Sequence, residues 1–198
     1  MNKSVEHKVV VIAGPSGVGK SSIIDGVLKK CKNFAFLVSA TTRPKRPGEQ
    51  DRINYYFLSE DEFKKYLDEG MIPEYRFIEK TGYYYGTFLP DLHKKIEKGK
   101  TVIADLDIIG AKYMKEHYNS LNIFIMPPDK DTLINRIKKR ADGMSKDELQ
   151  ERLDIAEREM TEDVKFYDYV VVNEEGELNK TINIVLGIIS QEGIICKN

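Results

Sequence analysis

A glycine-rich run near the amino end of the chain has the spacing of a phosphate-binding loop. Residues Gly14 to Ser21 read GPSGVGKS and match the pattern G-x-x-x-x-G-K-S. Glycines let backbone amides approach an anion closely, Lys20 can reach the β- and γ-oxygens of a triphosphate, and Ser21 can offer its hydroxyl to Mg²⁺. A plain glycine-rich turn needs neither side chain. We therefore predict that ATP binds to Gly14, Ser16, Gly17, Val18, Gly19, Lys20, Ser21 and Ser22, with Ser21 as the metal ligand.

The elements around this loop follow from hydrophobic periodicity. An apolar, β-branched run at Lys8 to Ala13 precedes the loop, and a helical stretch from about Lys20 to Lys30 follows it. Helical segments separate the remaining runs. Such alternation predicts an α/β fold, in which a five-stranded parallel sheet carries helices on both faces. The other four predicted strands are Phe34 to Ala40, Thr101 to Asp105, Leu121 to Met126 and Tyr169 to Val172.

A second phosphate site is indicated by the segment SATTRPKRPGEQDRINYYF, which begins at Ser39. It concentrates arginines beside tyrosines, and guanidinium groups and phenolic hydroxyls suit a phosphate held by several hydrogen bonds. The alternative is an ordinary solvated basic loop. Because the segment follows a triphosphate-binding loop, we favour an acceptor that carries its own phosphate over a water nucleophile.

Composition excludes several classes of function. The formal net charge is -1 over 198 residues, so no overall field favours nucleic acid or an anionic membrane. The chain has no apolar run of membrane-spanning length, and its polar amino end leads directly into a strand. We expect a cytoplasmic protein, and a monomer because no exposed apolar stripe stands out. Cys31 and Cys196 lie far apart without metal-ligand companions, and we expect both to be free thiols.

Several motifs occur together in one order: VVVIAGPSGVGKSS, SATTRPKRPGE, YYYGT, DLDIIGAK and VVVN. Through them the chain resembles guanylate kinases, which make GDP from GMP and ATP, over almost its whole length. The resemblance implies Mg²⁺ as the cofactor of ATP. It also implies a core of residues 1–38, 88–128 and 164–198, a GMP-binding insert at about 39–87 and a lid at about 129–163. We call the last two segments the insert and the lid.

The resemblance also implies the residues of the acceptor site. Those that would contact the GMP phosphate are Arg43, Arg46, Tyr55 and Tyr85, with Tyr84 replacing Tyr85 if the register slips. Those that would contact guanine are Ser39, Glu74, Thr87 and Asp105. Guanine presents N–H donors beside its O6 acceptor, so carboxylates and hydroxyls suit it. Alone, Glu74 would be read as a solvated surface acid, whereas Asp105 ends a strand, where ligands of open α/β sheets gather.

Catalysis would require charge neutralisation rather than a general base, because the GMP phosphate is already anionic. The resemblance implies that Lys20 and Arg43 act with lid arginines Arg136, Arg140 and Arg152. Arg136 and Arg140 are one helical turn apart and would share a face. The alternative is that they only solvate a helix.

Two further residues have open interpretations. Asn173 matches a family position near adenine, or it forms a turn. Asp107 could organise a magnesium-bound water, or it could cap the next helix.

The chain departs from the family pattern at two places. The segment between Glu74 and the YYG triplet is slightly longer than usual, with Tyr83 where asparagine is common, and KKRADG lacks two lid glycines. Two rival functions stay open: a non-catalytic module that binds a phosphorylated partner, and a kinase for another monophosphate such as AMP or dTMP. The complete phosphate-binding loop argues against the first, and the guanine-contacting set argues against the second.

Overall fold

A computed structural model describes residues 7–140 and 145–197, and the side chains of residues 139 and 140 fall outside that description. Its larger sheet has five strands in the order β2-β7-β1-β8-β9, and all neighbouring strands are parallel. The predicted five-stranded parallel sheet is confirmed. The nine strands of both sheets are β1 Val9–Ala13, β2 Phe34–Phe36, β3 Ala40–Thr41, β4 Tyr56–Phe57, β5 Tyr75–Ile78, β6 Tyr83–Gly86, β7 Thr101–Asp105, β8 Leu121–Met126 and β9 Tyr169–Val172.

Helices cover both faces of this sheet, so every residue of the central strand β1 is buried. Val10 and Ile12 point into one core, and Val9 and Val11 into the other. Helices α1 and α7 close the first core, while α3 and α4 close the second. The helices are α1 Lys20–Lys30, α2 Glu60–Asp68, α3 Leu89–Glu97, α4 Ile108–Tyr118, α5 Lys130–Arg140, α6 Lys146–Thr161 and α7 Leu178–Gln191, with a 3₁₀ turn at Asp163–Phe166.

The second sheet belongs to the insert. It has four strands in the order β4-β3-β6-β5 and packs with α2 around a separate small core of Ala40, Phe63, Ile72 and Phe88. The sequence predicts that the second strand of the chain runs to Ala40. In the structure β2 ends at Phe36, because Ala40 pairs with Tyr56 and Gly86 of the second sheet instead.

The charged helices of the insert and lid begin at capping boxes. Ser59 and Ser145 each accept a hydrogen bond from the backbone of the glutamate three residues later, and that glutamate accepts one from the serine backbone. This exchange satisfies amides that the first turn of a helix leaves unpaired. No helix in the described ranges is long and apolar enough to cross a membrane.

The expectation of two free thiols is wrong, because Cys31 and Cys196 form a disulfide. Cys31 ends α1, and α7 packs on the same face of the sheet as α1, so the chain end returns to this point. Backbone bonds hold it there: the N–H of Lys32 donates to the carbonyl of Lys197 at 2.7 Å. The N–H of Lys197 donates to Oδ1 of Asn33 at 2.8 Å. Distance in sequence therefore misled the prediction.

Candidate active site

The glycine-rich loop connects β1 to α1 at the carboxyl edge of the larger sheet. Gly14 and Gly19 have φ of 138° and 103°, a region that side chains disfavour. A Cβ at Gly14 would collide with the carbonyl of Ile125, and one at Gly19 would lie 2.7 Å from Nδ2 of Asn173. Both glycines are therefore required by the path of the loop as well as by its approach to an anion.

Lys20 lies over this loop. Its Nζ donates to the carbonyl of Gly14 at 2.6 Å and to that of Pro15 at 3.4 Å. Its ammonium is 3.8 Å from Oδ1 of Asp105, which ends β7. Burial raises the pKa of Asp105, and the positive charge of Lys20 partly opposes that rise. The lysine, the loop and Asp105 share a pocket with Asp107, Glu159 and Tyr167.

Three of the four predicted guanine-contacting residues meet at one end of the second sheet. Ala40 pairs with Gly86, and Tyr75 also pairs with Gly86, so the registers place Ser39 and Glu74 on either side of Thr87. Thr87 is buried, and its hydroxyl donates to Oε1 of Glu74. Burial raises the pKa of Glu74, and the negative charge of Asp107 raises it further.

The fourth predicted residue, Asp105, has Lys20 as its ion-pair partner. The aspartate whose negative charge raises the pKa of Glu74 is Asp107 instead. Asp107 is also the N-cap of α4, because its Oδ1 accepts from the N–H groups of Ile109 at 3.0 Å and Gly110 at 3.2 Å. The capping interpretation of Asp107 is therefore confirmed.

Arg43 is buried in the basic segment. Its Nη1 and Nη2 each donate to a carboxylate oxygen of Glu49 at 2.7 Å, and its guanidinium lies 5.4 Å from the centre of the Tyr55 ring. The hydrogen bonds from Arg43 lower the pKa of Glu49 to about 2. The same carboxylate accepts the backbone N–H of Arg46 at 2.8 Å, although the Arg46 side chain is exposed.

Tyr55 and Tyr85 complete this region, with ring centres 5.9 Å apart. The pKa of Arg43 is raised mainly by Glu49, and Tyr85 raises it further. Tyr84 instead packs on Phe63 and Phe77, away from Arg43. The structure therefore places Tyr85, rather than Tyr84, beside the arginine.

On the other side of the loop, Asn173 is buried at the end of β9. Its Nδ2 donates to the carbonyl of Val18 at 2.7 Å, and its Oδ1 accepts from the hydroxyl of Thr181 at 2.9 Å. The side chain thus ties the loop to α7. Arg136 lies nearby, with Nη1 3.5 Å from the carbonyl of Val18 and Nη2 3.4 Å from that of Asn173. Val18, Asn173 and Arg136 line a second pocket with Gly17, Gly19 and Ser22.

The two remaining predicted lid arginines are Arg140 and Arg152. Arg152 is exposed on α6. Arg140 ends α5, and its side chain lies outside the described part of the chain. Their expected role in catalysis stays a prediction.

The chain is similar to known proteins over most of its length. The family model for guanylate kinase matches residues 6–192. The chain belongs to the guanylate kinase family. A guanylate kinase of Prochlorococcus marinus (strain CCMP1986) is 40% identical over 184 residues, which cover 92% of this chain and 96% of that protein. A guanylate kinase of Thermotoga maritima is 40% identical over 189 residues, which cover 95% and 88%.

A solved structure of a guanylate kinase also resembles this chain in fold. The crystal structure of guanylate kinase from Anaplasma phagocytophilum has a TM-score of 0.69 and 28% identity, and the match covers 98% of this chain and 89% of that chain. The predicted family and phosphate-binding α/β fold are confirmed, and so is the prediction of a nucleoside monophosphate kinase.

The donor set around the loop fits the Mg²⁺ of ATP. Within the described residues, no group of three or more acidic, histidine or cysteine side chains could hold a metal ion. Ser21 is exposed at the start of α1, next to Lys20. Mg²⁺ typically takes one or two protein ligands and fills its other positions with phosphate oxygens and water. A serine hydroxyl beside a triphosphate site is such a ligand set.

Sequence reasoning gave no role to Glu49, although it ends the SATTRPKRPGE motif. An acid placed among four basic residues, Arg43, Lys45, Arg46 and Arg52, was the available signal. The carboxylate of Glu49 now proves to be the partner of Arg43 and of the Arg46 backbone.

Proposed function

We propose that this protein transfers the γ-phosphate of ATP to GMP and forms ADP and GDP, reversibly and by direct in-line transfer. The observation that carries the proposal is the placement of Ser39 and Glu74 on either side of Thr87, in a chain whose phosphate-binding loop is complete. A carboxylate and two hydroxyls match the N–H donors and the O6 acceptor of guanine. Adenine lacks this set of donors beside an acceptor oxygen.

At the ATP end, the loop amides and the amino end of α1 hold the phosphates. Lys20 exchanges the carbonyls of Gly14 and Pro15 for the β- and γ-phosphate oxygens. Ser21, with the phosphate oxygens, would hold Mg²⁺, which supplies neutralisation of the polyphosphate charge when it is bound. We propose the glycines and serines of the loop as the ATP-binding set, with Asn173 fixing Val18.

At the GMP end, Arg43, Arg46, Tyr55 and Tyr85 hold the acceptor phosphate. Glu49 fixes the orientation of Arg43 before the nucleotide arrives, and the guanidinium keeps further N–H donors for a phosphate oxygen. The bound phosphate is anionic at neutral pH, so one of its oxygens attacks phosphorus without a general base. Alignment and charge neutralisation then supply the catalysis.

We propose a division of labour between the two aspartates that frame Leu106. Asp107 raises the pKa of Glu74 and lies at the guanine end, so it supplies the second carboxylate there. Asp105 pairs with Lys20 and serves the phosphate end. This assignment moves the expected guanine contact of Asp105 to Asp107.

We further propose that the lid closes over the transferring phosphoryl group. Arg136 already lies against the loop, and Arg152 and Arg140 would approach on closure and stabilise the charge of the transition state. Closure also excludes water, which would otherwise hydrolyse ATP. In this scheme the insert of about 39–87 and the lid of about 129–163 move against the core.

The experiment is ADP formation from Mg-ATP by the purified protein, with GMP, AMP, dTMP, UMP or no acceptor. GMP-dependent turnover that is abolished in Lys20→Ala is the expected result. Turnover with another monophosphate would overturn the guanine assignment. Failure with every acceptor would favour the non-catalytic module, which no observation of this chain supports. We also propose a monomer in the cytoplasm, and light scattering of the purified protein would test the first of these.

A further inference from the structure

The turn between β5 and β6 lies in the insert and joins strands that end at Ile78 and begin at Tyr83. The structure forms it as an ordered hairpin end. The N–H groups of Thr81 and Gly82 donate to the carbonyl of Ile78 at 3.0 and 2.8 Å, and Gly82 has a φ of 70°, which favours glycine. Lys80 lies at the tip of this turn with an exposed side chain.

Lys80 reaches across to the lid. Its Nζ lies 2.5 Å from Oε1 of Glu148, in the first turn of α6. The hydrogen bond from Lys80 is the largest cause that lowers the pKa of Glu148 to about 2. Among the described side chains of the insert and the lid, no other hydrogen bond or ion pair joins the two parts.

The two carboxylate oxygens of Glu148 have separate tasks. Oε2 accepts the N–H of Ser145 at 2.8 Å and so completes the capping box of α6. Oε1 remains for Lys80. A glutamine at this position retains a carbonyl oxygen for the cap but loses the charge. The cap and the contact across the cleft can therefore be separated by experiment.

The position of Glu148 connects this contact to the chemistry. Arg152 follows it by four residues on α6, and residues at this spacing share one face of a helix. A contact that draws Glu148 to the insert therefore also turns the Arg152 face of α6 toward the part of the protein that holds GMP.

We propose that Lys80 and Glu148 form a latch that holds the lid against the insert and thereby positions Arg152 for phosphoryl transfer. Both are positioning residues, since neither touches the reacting atoms. The proposal rests on the proposed guanylate kinase activity. It assigns a role to the β5–β6 turn, for which the expected nucleotide contacts give none.

The test is the single-turnover rate of GDP formation at saturating Mg-ATP and GMP. Exposed ion pairs have small effects, so we expect Lys80→Ala and Glu148→Gln each to lower this rate about two- to five-fold at low ionic strength. Lys80→Arg should retain the rate. The loss should fade in 1 M salt, where the screening length is about 3 Å.

Two controls isolate the latch. Lys64 forms an ion pair with Glu60 of similar exposure, but within α2, so Lys64→Ala should leave the rate unchanged. The double variant Lys80→Ala/Glu148→Gln should be no slower than either single variant, because one contact can be lost only once.

A wild-type rate in Lys80→Ala, an equal loss in Lys64→Ala, or additive losses in the double variant would overturn the latch. Transfer by the unaltered chain in the same assay keeps these outcomes distinct from failure of the proposed function. Absence of transfer by the unaltered chain would overturn that function, and the latch as a positioning device with it.

Discussion

The guanidinium of Arg43 and the carboxylate of Glu49 face each other in a two-pronged ion pair, with both N–H···O distances at 2.7 Å. Arg43 is buried beneath the Tyr55 and Phe57 rings, so its charge is held in place before any nucleotide binds. A preoriented guanidinium loses less side-chain freedom when a phosphate arrives. In the proposed function, Glu49 therefore orients Arg43 for the acceptor phosphate without being a nucleotide ligand itself.

Replacing Arg43 with alanine should weaken GMP binding. Loss of hydrogen bonds to a charged phosphate corresponds to roughly a 10- to 150-fold rise in KM for GMP. Initial rates at varied GMP and saturating Mg-ATP measure it. Arg52→Ala is the matched control, because Arg52 is an exposed arginine of the same segment that pairs with its neighbour Asp51. Wild-type kinetics in Arg43→Ala would remove Arg43 from the site.

Glu49 should give stability a distinctive pH dependence. Its folded-state pKa is about 2, below the ordinary value of 4.5, so its ionised form is favoured by folding. That contribution is present above pH 4.5 and is lost as the pH falls toward 2. The difference in unfolding free energy between the unaltered protein and Glu49→Gln should therefore shrink over this window. Urea unfolding at a series of pH values measures it, and a constant difference would contradict the role of the ion pair.

Glu74 should set both the guanine preference and its acid limit. Burial and the charge of Asp107 raise its pKa, so protonation begins at a higher pH than for an ordinary glutamate. A protonated carboxyl has lost an acceptor for the guanine N–H groups. We therefore expect kcat/KM for GMP to fall on acidification from a pH above 4.5, the ordinary glutamate value.

Glu74→Gln supplies the baseline for that profile, because titration of the GMP phosphate itself is the same in both proteins. The variant should lose the part of the acid fall in kcat/KM that is due to Glu74. Its ratio of kcat/KM for GMP to kcat/KM for AMP should also fall, by a factor of up to about 10⁴. Glu79→Gln, an exposed glutamate at the end of the same hairpin, should behave like the unaltered chain. An unchanged pH profile in Glu74→Gln would exclude Glu74 from guanine recognition.

The disulfide should stabilise the fold without serving the chemistry. It joins cysteines 165 residues apart, and closing a long loop restricts the unfolded chain, so its removal should cost about 2–5 kcal/mol of unfolding free energy. Calorimetry of Cys31→Ser/Cys196→Ser beside the oxidised protein measures this. Activity at low temperature should persist, because Cys31 ends α1 whereas Lys20 begins it. Two titratable thiols in the folded, unreduced protein would contradict the pairing.

The parts that sequence predicted well are local. The phosphate-binding loop, the bounds of α1 and the five strands of the larger sheet depend on short-range patterns, such as glycine spacing and apolar runs between helices. Both capping boxes have an equally local origin, in a serine and a glutamate three residues apart. In these segments local propensity and the final fold agree.

The parts that sequence did not predict depend on contacts between segments that are far apart in the sequence. The end of β2 at Phe36 follows from the pairing of Ala40 in another sheet. The disulfide follows from the return of the chain end beside Lys32. The partner of Lys80 is in a different part of the chain altogether. The resemblance to guanylate kinases implied a guanine contact for Asp105, but the effect of the Asp107 charge on Glu74 is visible only in the fold.

The contacts of Asn173 affect when the glycine-rich loop can reach its final shape during synthesis on the ribosome. The glycine-rich loop precedes β7, β8 and β9 in the chain, yet Val18 is held by Asn173, which follows β9 and is itself fixed by Thr181 of α7. Strand β1 also pairs with β7 and β8, and both of these strands are synthesised after it. A growing chain therefore carries the glycine-rich motif before it has the contacts that hold the loop in shape, and a nucleotide could not assist folding there until α7 has also been synthesised.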